Sequence, residues 1–353
     1  MTARLQRILR RSLLVLVTAV ALASCGTVKF YTQAARGQWE IMGKARPIPE
    51  VLADPATGGK LKQRLRLVQE LRDFARKELH LPAEKQFGGY TDLGRPYVVW
   101  VVFASKEFSV KPKGWWYPLV GTLSYRGFFD AASAKAEGKK LKDQGLDVYV
   151  GGTEAYSTLG WFADPVLNTF LHRDDASLAE LIFHELTHAR LFIAGDTDFN
   201  EALATAVGQA GVRKWLRSRG RMDDLAEYEQ GLTQDREIID LLLSTRGELE
   251  TLYATPSSAP SLREAKAAAF QRMQIRYGEI KRRWTGDSRY DRFFEQPMNN
   301  ARLNTVATYY DLVPDFERLL KRWDGDVNVF LAKVEAMKSQ SKDERRASVT
   351  KAP

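Results

Sequence analysis

Cysteine is almost absent from this chain of 353 residues, with Cys25 the only one, so an internal disulfide is excluded whatever the compartment. Histidine is scarce too, limited to His80, His172, His184 and His188. The apolar run near the start, Ser12 to Ala23, is too short to span a bilayer. Acidic residues are missing from the first 24 positions, which carry Arg4, Arg7, Arg10 and Arg11; without that segment the formal charge drops from +9 to +5. The remaining basic excess is spread along predicted helices without any nucleic-acid motif, so nucleic acid is not an expected partner. It reads as a solvated surface, compatible with anionic lipid or peptidoglycan.

Half of the scarce histidines fall in one pattern. His184, Glu185 and His188 spell H-E-x-x-H inside an apolar stretch, Leu178 to Ile193, whose spacing predicts a helix. Two histidines four apart on a helix share a face, so both imidazoles can reach one metal ion. Glu185 projects about 100° further round, close enough to act on a metal-activated water without being a ligand. Ser177 and Glu180 form a capping-box pattern at the helix start, and Gly195 follows the last apolar turn. The alternative is a helix that merely carries two histidines.

A zinc site needs a third protein ligand, and nothing recommends His80 or His172. Downstream, Asp198 can cap a second helix and Glu201 lies one turn inside it. Two antiparallel helices joined by a tight turn at Gly195 would return Glu201 to the histidine pair. Two readings compete with that one. Glu201 could complete a capping box with Asp198, or Asp196 or Asp198 could be the ligand or a partner of a histidine N–H.

The N-terminus reads as a sorting signal. The four arginines form a basic n-region and Ser12 to Ala23 an apolar h-region. Leu22-Ala23-Ser24-Cys25 is similar to a bacterial lipobox, which would make residues 1–24 a signal peptide and Cys25 the lipidated first residue, held to a membrane by its acyl chains. By resemblance to sorted lipoproteins, Gly26 after the cysteine favours the outer membrane, facing the periplasm, if the host has one. Residues 25–49 are expected to be a tether, 50–336 a peptidase domain and 337–353 a polar, frayed tail.

Within that domain, Gly59 to Leu81 predicts an amphipathic helix and Ala131 to Gln144 another, while Tyr97 to Ala104, Tyr117 to Tyr125 and Asp147 to Val150 read as strands. Gly151 and Gly152 would let substrate backbone approach an edge strand, Glu154 could bind a substrate amine or be an exposed turn glutamate, and Tyr156 and Trp161 could line a subsite or pack. Met222 to Arg246 and Leu262 to Trp284 predict a helical hairpin broken at Thr255 to Pro260. Near the end, Tyr309 or Tyr310 is a candidate oxyanion donor, and Asn299, Asn300 or Arg302 could bind substrate termini. Capping and packing of a further helix would explain the same residues.

Several longer strings surround these motifs: Leu93-Gly94-Arg95-Pro96-Tyr97-Val98-Val99-Trp100, Ser124-Tyr125-Arg126-Gly127-Phe128-Phe129 and Ala155-Tyr156-Ser157-Thr158-Leu159-Gly160-Trp161-Phe162. With Phe183-His184-Glu185-Leu186-Thr187-His188 and Phe199-Asn200-Glu201-Ala202, the span from about Phe30 to Trp323 resembles a bacterial family of putative aminopeptidases, usually lipoproteins. The resemblance implies a zinc-dependent peptidase with His184, His188 and Glu201 on the metal and Glu185 as catalytic carboxylate. The expected fold is α+β and zincin-like, a small mixed sheet followed by a mainly helical part, acting on peptides with one Zn2+ per chain. An endopeptidase using the same site, or a non-catalytic peptide-binding envelope lipoprotein, is the competing reading.

Overall fold

Apolar periodicity separates helix from strand throughout the computed structural model, which describes residues 30–117, 121–158, 162–284, 289–310 and 312–351, without the side chains of 306–310. The expected signal peptide and Cys25 lie outside the described residues. In chain order the elements are helix α1 (30–43), β1 (Arg46–Pro47), α2 (Ile48–Ala53), α3 (Gly59–Glu78), β2 (Gly89–Thr91), β3 (Val99–Lys106), β4 (Trp115–Tyr117), β5 (Gly121–Leu123) and β6 (Arg126–Phe128). There follow α4 (Ala131–Asp143), β7 (Leu146–Thr153), β8 (Val166–Leu167), α5 (Asp175–Arg190), α6 (Thr197–Ser218), α7 (Met222–Ala254) and α8 (Ala259–Arg282). The last are α9 (Asp291–Phe294), α10 (Asn300–Tyr310), α11 (Val313–Arg322), α12 (Val327–Glu335) and α13 (Lys342–Thr350).

The fold is α+β, as expected, with small sheets set among many helices. Strand β3 is the centre of an antiparallel sheet ordered β6-β3-β7, with Trp100 opposite both Phe128 and Gly152. Helix α4 packs on it through Ala134 and Leu141. A second sheet pairs β2 antiparallel to β1 and parallel to β8, and β8 leads directly into α5. The main core joins α2, α3, α5, α6 and the C-terminal helices, while α7, α8 and α10 close around a second one. Lys266 of α8 and the backbone N–H of Asn300 both bond to Asp147, which fastens the second core to the end of β7.

Helices α5 and α6 form the antiparallel pair anticipated from the Gly195 turn. Gly195 itself has φ +80°, a left-handed conformation that glycine adopts without strain. The two helices pack unusually closely because α6 presents Gly208 and Gly211. A Cβ at Gly211 would lie 2.6 Å from the Phe183 ring, and one at Gly208 would lie 3.1 Å from the Glu180 carbonyl oxygen.

Four expectations need correction. Residues 30–43, expected as tether, are helix: Phe30, Gln33, Gly37 and Ile41 recur on one face, Ile41 is buried, and the Phe129 ring fills the space a Gly37 side chain would need. The tail is not frayed either, since Arg345 and Val349 of α13 are buried. The strand expected over Tyr117 to Tyr125 is instead the hairpin β4–β5 followed by β6, with residues 118–120 outside the described residues. Finally, α5 begins earlier than Leu178, capped by Asp174, whose carboxylate accepts the Ser177 N–H at 2.8 Å; Glu180 is drawn inward to the Tyr228 hydroxyl instead. The helical hairpin is present, with α7 reaching Ala254.

Gly211→Val is expected to lower stability by about 1–3 kcal/mol through overpacking against Phe183 and Leu79, although leaving glycine ordinarily favours a helix. Thermal unfolding measures it; an unchanged or raised Tm would mean that the helices have room to spare.

Candidate active site

The site begins with the helix α5. Leu178, Ala179, Ile182, Phe183 and Leu186 are fully buried on its core side, and that orientation leaves His184 and His188 turned towards α6. The side chain of Asn200 holds the connecting turn by accepting from the Ile193 N–H at 2.9 Å and donating to the Ile193 carbonyl at 2.7 Å. Glu201, the next residue, then points back at the histidines. The alternative in which Glu201 caps its own helix is thereby excluded, since the N-cap of α6 is Asp196. Asp196 and Asp198 are not ligands: Asp196 pairs with Arg345, and both face Lys342.

The Nε2 atoms of His184 and His188 stand 3.1 Å apart, and Glu201 Oε2 lies 3.3 Å from the first and 3.6 Å from the second. Tetrahedral coordination at about 2.0–2.1 Å spaces neighbouring ligands about 3.3–3.4 Å apart, so the three atoms fit one small divalent ion with a fourth position left open. The imidazole rings stand edge to face at 86°, each presenting one nitrogen to the same point. The group is largely enclosed, with His188 only 6% exposed, so an ion there would be poorly screened by water.

The charges around this point are predominantly negative. Burial alone would lower the His184 imidazole, yet the hydrogen bond and charge of Glu201, aided by Glu185 and Glu180, hold its pKa above the ordinary value. Burial would raise Glu201, but His188 and His184 outweigh it and keep its carboxyl well below the carboxylate range. Glu180, one turn before His184, is raised by burial while accepting a 2.7 Å bond from Tyr228.

Tyr125 was missed in the sequence although it stands in the Ser124–Phe129 string. Hairpin β4–β5 folds over the α5–α6 turn so tightly that a Cβ at Gly121 would lie 3.1 Å from Gly195 Cα. Tyr125, whose ring packs 5.6 Å from Phe103, follows this hairpin and comes within the electrostatic reach of Glu201 and Glu185. Burial raises its hydroxyl, and the charges of Glu201 and Glu185 raise it further. Asp164 also went unrecognised. It is buried, accepts from the Thr158 N–H and hydroxyl at 2.8 and 2.7 Å, and is raised first by burial and then by Glu185. Its bonds fix the loop that carries Tyr156.

Other expected site residues are engaged elsewhere. Glu154 forms an ion pair with Arg173 at 2.9 Å, tying the loop after β7 to the approach to α5. At Gly152 the room that a side chain would take is filled by the Tyr97 ring, so its glycine serves internal packing. Arg302 is buried, donates to the carbonyls of Phe293 and Pro297, and lies over the Phe293 ring at 4.6 Å, which leaves no free fork for a substrate carboxylate. Asn299 and Asn300 bond to the backbones of β7 and the end of β3. Tyr156 packs edge-to-face against Phe129 at 5.3 Å and lies close enough to Tyr125 to act on its hydroxyl. The side chains of Tyr309 and Tyr310 lie outside the described residues, as does Trp161.

A cavity of about 730 Å³ opens between α5 and α7, lined by Glu180, Tyr228, Asp235 and Arg221 among others. It reaches the helix one turn before His184 but does not include the histidines, Glu185 or Glu201. The cavity therefore lies beside the donor cluster without containing it.

Proton linkage tests the ligand assignment. In metal-free protein the depressed Glu201 contributes stability that is lost as pH falls through the acidic range. The raised His184 contributes stability present below the ordinary histidine pKa and lost as pH rises through its own. Their joint contribution is therefore fullest between about pH 4.5 and 6.5. Metal must displace the imidazole protons, so stabilisation by added zinc should grow with pH across and above that window. Tm with and without zinc, followed against pH, should diverge upward; a pH-independent difference would remove the histidines as ligands.

A sequence model of the family described as Putative aminopeptidase matches residues 29–349, from just before α1 to the buried Val349 of α13. No curated protein and no solved structure matches the chain.

Proposed function

The chain belongs to the Putative aminopeptidase family, and from that premise we propose that it is a zinc-dependent peptidase with a zincin-like active site. His184, His188 and Glu201 would hold one zinc ion. The observation that carries this reading is the convergence of three donor atoms within 3.6 Å, two from the helix that also bears Glu185 and the third from α6. When bound, zinc supplies Lewis acidity to both the attacking water and the scissile carbonyl.

The protein groups do the rest. Glu185 follows His184 on α5 and is placed to accept the water's proton and return it to the leaving amine. Tyr125, kept protonated by burial and by the neighbouring carboxylates, is a hydrogen-bond donor to the carbonyl oxygen as charge builds there. Asn200 orients the turn that carries Glu201, and Asp164 orients the loop beside Glu185. An intact general base argues against a purely peptide-binding role, since binding needs no proton transfer.

The family description favours removal of N-terminal residues. One observation favours an endopeptidase: Glu154, the residue considered for binding a free amine, is neutralised by Arg173. We further propose that the lipobox-like Cys25 anchors the protein to the bacterial cell envelope, at the outer membrane facing the periplasm, with peptides as substrate.

Soluble protein beginning at Gly26, loaded with zinc and incubated with a peptide mixture, should remove N-terminal residues stepwise by mass spectrometry. Internal cuts would establish the endopeptidase, and absence of any cleavage despite bound zinc would count against the enzyme. Glu185→Gln should lose about 10²–10⁴-fold in kcat while retaining zinc. Tyr125→Phe should lose about 10²–10³-fold in kcat with zinc affinity unchanged; full activity in that variant would remove Tyr125 from the reaction.

A further inference from the structure

The best N-cap residues turn their side-chain oxygen onto the first N–H groups of their own helix. Asp196 stands at the N-cap of α6 and makes no such bond. Its carboxylate is turned to the C-terminal helix instead, where Oδ2 accepts from Arg345 Nη2 at 2.8 Å and Nε at 3.0 Å. The two partners are 149 residues apart in the chain, and their side chains are 3% and 7% exposed. Lys342 adds a second cation 3.4 Å from the other oxygen. Such a pair is costly to bury and strongly destabilising to break from one side, because the remaining charge is left without its partner.

Helix α13 is built to present these cations. Ser341 and Glu344 form a reciprocal capping box at its start, Val349 is buried in the main core, and Arg345 also bonds to the Gln340 carbonyl. The guanidinium lies 5.8 Å from the Phe199 ring, which packs edge-on against Phe316 of α11. Phe199, Asn200 and Glu201 are consecutive. The pair thus acts on the end of α6 where Glu201 leaves the backbone, and metal-site geometry tolerates about 0.5 Å of displacement.

Resting on the peptidase reading, we propose that α13 is a clamp on the metal site: Arg345, acting through Asp196, is a positioning residue that sets where Glu201 stands and hence how tightly zinc is held. Loss of the last turns of the chain would release zinc without touching any ligand. The segment would then be a control point, since cleavage before Ser341 leaves all three ligands in place and loosens one of them.

Zinc affinity of the full chain beginning at Gly26, measured by competition with a chromogenic chelator, tests this with circular dichroism as the check on folding. Arg345→Met is expected to fold and to bind zinc at least tenfold more weakly, with Arg345→Lys in between and Lys342→Ala weakened about two- to threefold. If Arg345→Met does not fold, Asp196→Asn and Arg345→Lys carry the test, each expected at least threefold weaker. Parental affinity in folded variants overturns the clamp while leaving the peptidase reading intact. Failure of the parent itself to bind zinc overturns both.

Discussion

The close contact between α5 and α6 is the constraint on which the rest of this molecule depends. Helices with ordinary side chains between them pack with axes about 8–10 Å apart. A metal site built from two of them needs its donor atoms placed to within about 0.5 Å. Gly208 and Gly211 remove the side chains that would hold α6 away from Glu180 and Phe183. Glu201, lower on the same helix, can then reach His184 and His188 with its short side chain. The core beneath, from Phe74 of α3 to Phe183 and Phe199, makes that approach rigid rather than adjustable.

The β-rich N-terminal part completes the site from the other side. Hairpin β4–β5 descends onto the Gly195 turn, and β6 is held by β3, so that the half-buried Tyr125 between them lies within the field of Glu201 and Glu185. Glu180, Glu185 and Glu201 act together on His184, and Glu185 acts on Asp164. Perturbed groups gathered around one point in a largely enclosed space are the electrostatic signature of a functional site, here one of negative potential suited to a cation. The same field keeps Tyr125 a donor.

Much of this could be read locally. A helical period of 3.6 residues places His184 and His188 on one face whatever surrounds them, and their pairing with Glu185 already indicated metal chemistry. The continuous apolar run of β3 and the amphipathic stripe of α3 likewise predicted their elements, and the α+β class followed. What was misread had long-range causes. Glu154 looked available because Arg173 is a partner chosen across a loop. Gly152 looked like a substrate cradle until Tyr97 filled the space, and Arg302 looked like a terminus-binding cation until it turned onto the carbonyls around Phe293. Residues 30–43 and α13 are polar enough to pass for linker and tail, yet a few apolar or charged contacts each dock them.

Spacing along the chain determined that His184, His188 and Glu185 share one helix with both imidazoles on one face, because those relations lie within a few residues and a rigid backbone repeat determines them. Glu201 was only one of several candidate third ligands by spacing. Its place beside the histidines required the packing of two helices and the turn held by Asn200. Tyr125 and Asp164 entered the site in the same way, through packing of segments far apart in sequence. Such contacts depend on which surfaces fit once the chain has collapsed, and no local pattern encodes that.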